Sequence, residues 1–302
     1  RHAAWLGDGK RLVATADPGT EPRLVVFGVD GAEPPRTLDS VDIGHVIELA
    51  AAPVGDAVAV RTHRGDILLV DAASGAARTL DTTAFSRSEV ANHGLGLAWA
   101  PDGRWLAYAL GINVAQVAIK LCRVETGETW QISDPVLYDI RPAFDPQGRY
   151  LYFIGARDFD PVQDNLNFEF SFPKGQRPYL ITLRRDLHSP FTPTPERPKD
   201  ELTEKVEQAK QADDAERKPP APVEIEVEGI RDRIVAFPVP EGLYGRVQGT
   251  HDGVVFSNFP VEGTRKRGFG ASLVPEANGA IEGYAFETHK QDHLVDGISD
   301  FA

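Results

Sequence analysis

The sequence predicts an all-β fold, a β-propeller of four-stranded antiparallel blades, about five of them, with one long charged insertion. Three observations predict it. A hairpin phrase recurs as "AAWLGDGKRLVATA" at 3–16, "LAAAPVGDAVAVRT" at 49–62, "LAWAPDGRWLAYAL" at 97–110 and "RPAFDPQGRYLYFI" at 141–154. Its turn glycines, Gly9, Gly55, Gly103 and Gly148, fall 45 to 48 residues apart, a period that signals stacked supersecondary units. No sustained 3.6-residue apolar pattern interrupts the repeats, so each unit reads as strands alone. A sheet this small buries its two faces only against neighbouring sheets, and radial stacking satisfies that requirement.

In chain order, blade one covers 1–39, where the first hairpin is followed by the strand pair "RLVVFGVDGAEPPRTL". Blade two covers 40–85 with "DILLVDAASGAARTL", and blade three 89–134 with "AIKLCRVETGETWQIS". In these second pairs an apolar run meets a turn glycine at Gly31, Gly75 or Gly127, which supplies positive φ at little steric cost. Trp5, Trp99 and Phe144 recur just before the hairpin turn and are expected in the core between blades. Blade four covers 138–240 and is interrupted: "QDNLNFEFSFPKGQ" separates its second strand from a third, "RPYLITLRRD". Residues 193–222 are rich in proline and mixed charge and nearly empty of large apolar side chains, so they are expected to form a mobile insertion. "PVEIEVEGIRDRIVAFPV" then reads as the delayed outer strand of blade four. Blade five covers 244–297 and opens on a weaker copy, "VQGTHDGVVFSN", with Gly253 in the turn role. Residues 298–302 read as the start of a further blade, so the chain reads as part of a larger ring.

Composition bounds the function. With 41% hydrophobic and 25% charged residues the chain is of ordinary globular composition. A net charge of -13, from 45 acidic and 32 basic residues, argues against a phosphate-binding surface and hence against nucleic acid. No apolar run reaches the roughly 20 residues of a membrane span, and residues 1–20 lack the basic and apolar blocks of a signal peptide. The single cysteine, Cys122, excludes an internal disulfide and a thiolate metal cluster. Its apolar setting reads as a buried structural thiol rather than a nucleophile. A cytoplasmic location follows, with a disulfide-free secreted protein as the alternative. The chain starts on Arg1 and contains no Met, and so reads as a piece of a longer polypeptide.

Motifs for chemistry are sparse. There is no Gly-x-Ser-x-Gly elbow and no His-Glu-x-x-His pattern, and "GLGLAW" at 94–99 leads into a strand rather than a helix. Asp158, Asp160 and Asp164 in "RDFDPVQD" lack the spacing of a calcium loop. They read as a hydrogen-bonded loop or as partners of Arg157. His63, His93, His188 and His251 sit beside turns or loops and read as solvated side chains. No catalytic residue, metal site or cofactor site is assigned.

One region is more specific. From 135 to 192 the blade hairpin runs into Arg-x-Phe-x-Pro-Val (157–162), an aromatic stretch ending in Phe-Pro-x-Gly (172–175), and Arg-Pro-Tyr-Leu (177–180). This stretch, with "EGIRDRIVAFPVPEGLYGRV" and "VDGISDF" further on, resembles the tricorn protease family. The resemblance implies a seven-bladed ring, the second propeller of a cytosolic, homo-oligomeric serine peptidase, with peptides as substrates. It also implies PDZ and catalytic domains outside this chain, and no catalytic residue of that family has a counterpart here.

A ring of sheets leaves an axial channel that passes an extended peptide and excludes a folded domain. The starts of the inner strands supply the candidate channel residues Arg1, Asp42, His45, Asn92 and Asp139, with a plain solvated rim as the alternative. The other function class is a free-standing interaction propeller like the periplasmic Tol-system proteins, which share the Pro-Asp-Gly hairpins.

Overall fold

The computed structural model describes residues 2–16, 22–31, 34–39, 42–85, 95–158, 160–163, 165–166, 168–171, 174–192, 220–262 and 277–301. The expected mobile insertion lies outside them except for 192-side and 220–222 flanks, as do Arg1, Asn92, His93 and Asp164.

The chain builds antiparallel sheets one after another. The first holds β1 (Ala3–Trp5), β2 (Arg11–Ala16), β3 (Arg23–Gly28) and β4 (Arg36–Leu38) in sequence order. The second holds β5 (Val46–Ala51), β6 (Ala57–Thr62), β7 (Asp66–Asp71) and β8 (Ala77–Thr82). The third holds β9 (Leu97–Trp99), β10 (Trp105–Gly111), β11 (Val117–Arg123) and β12 (Thr129–Gln131). The fourth begins with β13 (Tyr138–Phe144) and β14 (Tyr150–Ala156). A separate hairpin of β15 (Val162–Gln163) and β16 (Phe170–Ser171) follows, and then the sheet resumes with β17 (Arg177–Thr182) and β18 (Ile234–Ala236). A single parallel bridge, Val117 to Tyr138, joins the third sheet to the fourth. The fifth holds β19 (Leu243–Gly249), β20 (Gly253–Phe259), β21 (Gly279–Ala285) and β22 (Lys290–Ile298). Among the described residues no ladder joins β22 to β1.

The hairpin turns follow from local chemistry. Gly9, Gly55, Gly103 and Gly148 hold φ of 63°, 81°, 71° and 68°, where a Cβ is penalised. At the first turn Asp8 Oδ1 accepts from the amides of Lys10 (2.8 Å) and Arg11 (3.0 Å). The fifth hairpin differs from expectation. Gly249 pairs with Val254, so the connection is tighter, and Gly253 is the first residue of β20 rather than a left-handed turn residue. A Cβ at Gly253 would lie 2.1 Å from the Tyr284 carbonyl oxygen, so its role is close approach of two backbones.

Packing between sheets supplies the core. Val13, Val26, Val58, Val60 and Val70 are buried between the first two sheets. Ala59, Ile67, Leu106, Tyr108 and Cys122 fill the boundary of the second and third. A larger cluster, including Leu121, Tyr152, Phe153, Phe237 and Phe256, joins the third, fourth and fifth; burying each such ring contributes about 1.5–3 kcal/mol. Phe144 is in this core, and Trp99 is half-buried with its Nε1 donating to the Ala50 carbonyl (3.0 Å). Trp5, expected in the core, is 56% exposed, because no other described sheet covers that face of the first one.

After the undescribed stretch 193–219 the chain clamps back onto the third and fourth sheets. Val223 donates its amide to Asp102 Oδ2 (2.7 Å) and accepts from Trp105 Nε1 (3.2 Å). A short 3-10 helix, Ile230–Arg233, follows, with Ile230 buried, and leads into β18. Ile298, expected to open a further blade, instead closes β22, and 299–301 carry no strand. No helix among the described residues is long and apolar enough to cross a membrane.

Candidate functional site

The first strands pack in order, β1 on β5, β5 on β9, β9 on β13 and β13 on β19, and so form one inner edge. Three residues before the end of each stand His2, Glu48, Gly96, Arg141 and Arg246. Three of these strands break register there: β5 between Val46 and Glu48, β13 between Ile140 and Ala143, and β19 between Tyr244 and Val247. A bulge lifts a residue out of the ladder and re-aims its side chain. Gly96 and Arg141 add left-handed φ values of 98° and 53°. The same backbone irregularity thus recurs, and it presents one residue per sheet at the inner edge.

These residues are linked around the edge. Arg61, 4% exposed, donates from Nη2 to the carbonyls of Ala109 (2.8 Å) and Gly96 (3.3 Å) and from Nε to Glu48 Oε2 (3.2 Å). Burial pushes the Arg61 pKa down, and the Glu48 carboxylate opposes that. Glu48 also accepts from the amides of Gly96 (3.2 Å) and Leu97 (3.1 Å), tying β5 to the next sheet. The Arg141 amide donates to the Leu95 carbonyl at 2.6 Å. A Cβ on Gly96 would sit 2.6 Å from the Arg141 Cα, so only glycine permits this approach. Further round, Arg246 Nη2 lies 3.0 Å from Asp300 Oδ2, and Arg141 Nη1 lies 3.9 Å from Asp300 Oδ1.

The structure sorts the candidate channel residues. Asp139, expected to line the channel, is fully buried, and Arg157 forks onto it through Nε (2.8 Å) and Nη2 (2.6 Å). Burial pushes its carboxyl up, and Arg157 opposes that. This is an internal ion pair; the inner-edge position falls two residues later, at Arg141. Asp42 and His45 are exposed beside the start of β5. Asp42 Oδ1 accepts from Arg64 Nη2 (2.6 Å), and His63 Nδ1 accepts from the His45 amide (3.1 Å). Arg1 and Asn92 are outside the described residues.

The remaining sequence candidates resolve as follows. Asp158 pairs with Arg177 (3.3 Å) rather than Arg157. Asp164 is not described, and among the described residues no group of three His, Cys, Asp or Glu could hold a metal ion. His251 is exposed beside Asp252, and the His188 carbonyl accepts from Tyr150 Oη (3.3 Å). Cys122 is fully buried, and burial pushes its thiol up to about 11. A surface groove between β12 and the 3-10 helix is lined by Trp130, Gln131, Asp134, Ile230 and Arg231. There Arg231 is engaged by Asp134 (3.1 Å) and by the Gln131 carbonyl.

Sequence reasoning missed Glu48, Arg141, Arg246 and Asp300. A signal was present for the first two and Arg246: each stands seven residues before a hairpin glycine, Gly55, Gly148 or Gly253.

Comparison with known proteins agrees with this architecture. Tricorn protease homolog 1 of Streptomyces coelicolor is 34% identical over 263 residues, 86% of this chain and 23% of that protein. The tricorn protease homolog of Saccharolobus solfataricus is 28% identical over 283 residues, 93% of this chain and 23% of that protein. The chain therefore spans about a quarter of the length of these relatives. Among solved structures, the crystal structure of the tricorn protease superposes with a TM-score of 0.74 at 18% identity, covering 98% of this chain and 26% of that one. A TolB structure from Agrobacterium tumefaciens reaches 0.54 at 13% identity, covering 97% and 79%; at these identities both speak to the fold. The family described as the tricorn protease second beta propeller domain matches residues 1–302. A chain of stacked four-stranded sheets that this family matches from end to end belongs to it: this is a tricorn second β-propeller.

Proposed function

We propose that this chain guides or gates peptide substrates on their way to the catalytic domain of a tricorn-type serine peptidase in the cytoplasm. In this reading it forms most of a seven-bladed ring, works beside PDZ and catalytic domains of the same polypeptide, and assembles as a homo-oligomer. The observation that carries the reading is the family match over the whole chain together with an inner edge that offers charged side chains where an extended peptide would pass. The catalytic work falls to other domains. The propeller contributes selection by width and charge, since a low-dielectric passage lined by fixed charges discriminates strongly among charged solutes.

The test uses the longer peptidase polypeptide with His45→Cys, a position at the start of an inner strand. Cys122 is buried, so a bulky maleimide modifies the introduced thiol selectively. The expected result is that hydrolysis of extended peptides slows severalfold, while a short fluorogenic substrate is cleaved at its usual rate. Unchanged hydrolysis of both would overturn the gate and favour the interaction propeller of the Tol type.

A further inference from the structure

We propose that Arg141 and Arg246 form a carboxylate-binding site at the inner edge, and that Asp300 is a resident anion which an acidic group of a peptide displaces. The proposal rests on the peptide-guiding reading above and names the chemistry that the passage selects.

Four observations carry it. Arg141 and Arg246 occupy the same recurring position on β13 and β19, strands that pack against each other. The bulges that re-aim them are present in both strands. Asp300 bridges them with different oxygens, at 3.0 Å to Arg246 and 3.9 Å to Arg141. Two guanidiniums carry ten N–H donors between them, and one carboxylate uses few of these. Arg246 Nε is buried and has no hydrogen-bond partner among the described residues, a donor of the kind that a forked carboxylate satisfies. Asp300, finally, is held lightly: it is half exposed and lies just past β22, where 299–301 have no ladder bonds.

The surrounding charges favour a second anion. Glu48 is the other nearby carboxylate, and it is already engaged by Arg61 and by the amides of Gly96 and Leu97. Burial lowers the Arg141 pKa; Asp300 opposes this, while the like charge of Arg246 adds to it. The two guanidiniums therefore repel each other across the site, and a carboxylate lying between them relieves that repulsion. An amide in the same place accepts hydrogen bonds without relieving it.

The experiment measures binding of three labelled nonapeptides by fluorescence anisotropy. One has a free C-terminal carboxylate and no Asp or Glu, the second is amidated with one internal Glu, and the third is amidated without any acid. Wild type is compared with D300N, R246Q, R246K and R141Q, and urea midpoints verify that each variant is folded. Both acidic peptides are expected to bind wild type more tightly than the third. D300N is expected to tighten the acidic peptides about fivefold and R246Q to weaken them about tenfold, the scale of one charge-assisted hydrogen bond. R246K, which keeps charge but loses the fork, is expected to fall between wild type and R246Q. If one acidic peptide gains and the other does not, the site stands and its source of carboxylate, chain end or side chain, is identified. Equal binding of the acid-free peptide, or D300N no tighter than wild type, overturns the site. The wild-type comparison among peptides needs no variant and so survives any folding defect. The result is separable from the gating test: loss of acid selectivity removes this site but not the gate, and an ineffective block at residue 45 removes the gate but not the binding.

Discussion

At the scale of single residues, the fold spends unusual chemistry on fixing the chain rather than on reaction. Cys122 is enclosed between the second and third sheets with its thiol pushed up to about 11, and the thiolate is the reactive form. Ellman's reagent at pH 8 is therefore expected to leave the native protein unmodified and to titrate one thiol after unfolding; prompt native reaction would show that this boundary opens. Gly96 holds φ of 98° with Arg141 Cα and Pro142 Cδ inside normal contact distance of any Cβ. Gly96→Ala is expected to cost at least ~1–3 kcal/mol from the backbone conformation alone, read as a lower urea midpoint. Asp8 shows the pH dependence. The Lys10 amide and the Arg11 side chain hold its carboxyl down at about 2. A depressed folded-state pKa contributes stability at pH values above the ordinary carboxylate range, and that contribution is lost as pH falls through about 2. Carbon-13 titration of the Asp8 carboxyl is expected to give a midpoint near that value, and a midpoint near 4 would show that the turn bonds do not persist in solution.

At the scale of elements, the links between sheets matter more than the sheets. Glu48 and Arg61 join β5 and β6 to the backbone ahead of β9. Removing one partner of a buried pair leaves an uncompensated charge, so Glu48→Gln is expected to destabilise by about 3–5 kcal/mol. The paired replacement of Glu48 and Arg61 by apolar residues is expected to cost less than the two single changes combined, and a double-mutant cycle from urea unfolding measures that coupling. The β15–β16 hairpin is the contrasting case. Val162, Phe168 and Phe170 are 56%, 74% and 66% exposed, and Phe168 holds φ of 59°. Asn tolerates that conformation better than Phe does. Phe168→Asn is therefore expected to leave stability unchanged or to raise it by a few tenths of a kcal/mol. A clear loss would mean that this aromatic side chain packs against something in solution.

At the scale of the whole molecule, the core falls into linked compartments. One cluster joins the first two sheets, a smaller one joins the second and third, and a large one joins the third, fourth and fifth. Phe237, fully buried in the large cluster, meets Phe191 at 4.7 Å and Tyr284 at 5.7 Å between ring centroids. Opening free energies follow such cooperative units. Phe237→Ala is expected to accelerate amide hydrogen exchange in β13–β22 before β1–β8, and uniform acceleration throughout would mean one indivisible unit. The strand repeat behind this architecture was legible because each hairpin is written locally, in an apolar run, a glycine of positive φ and a second apolar run. The inner edge was only half legible. Glu48, Arg141 and Arg246 recur at a fixed distance from a glycine, yet nothing local distinguishes them from Asp139, which the fold buries on Arg157. Their exposure depends on bulges, and bulges depend on which strand lies opposite. Gly253 shows the same limit, since its sequence context copies a turn and its partner strand β21 makes it a close-approach residue. By itself the sequence determined the all-β class, the repeating unit and the break in the fourth sheet, all of which follow from short-range patterning and backbone conformation. Only the tertiary structure decided which side chains meet at the inner edge and that Asp300 returns to Arg141 and Arg246, because those contacts join residues far apart in the chain.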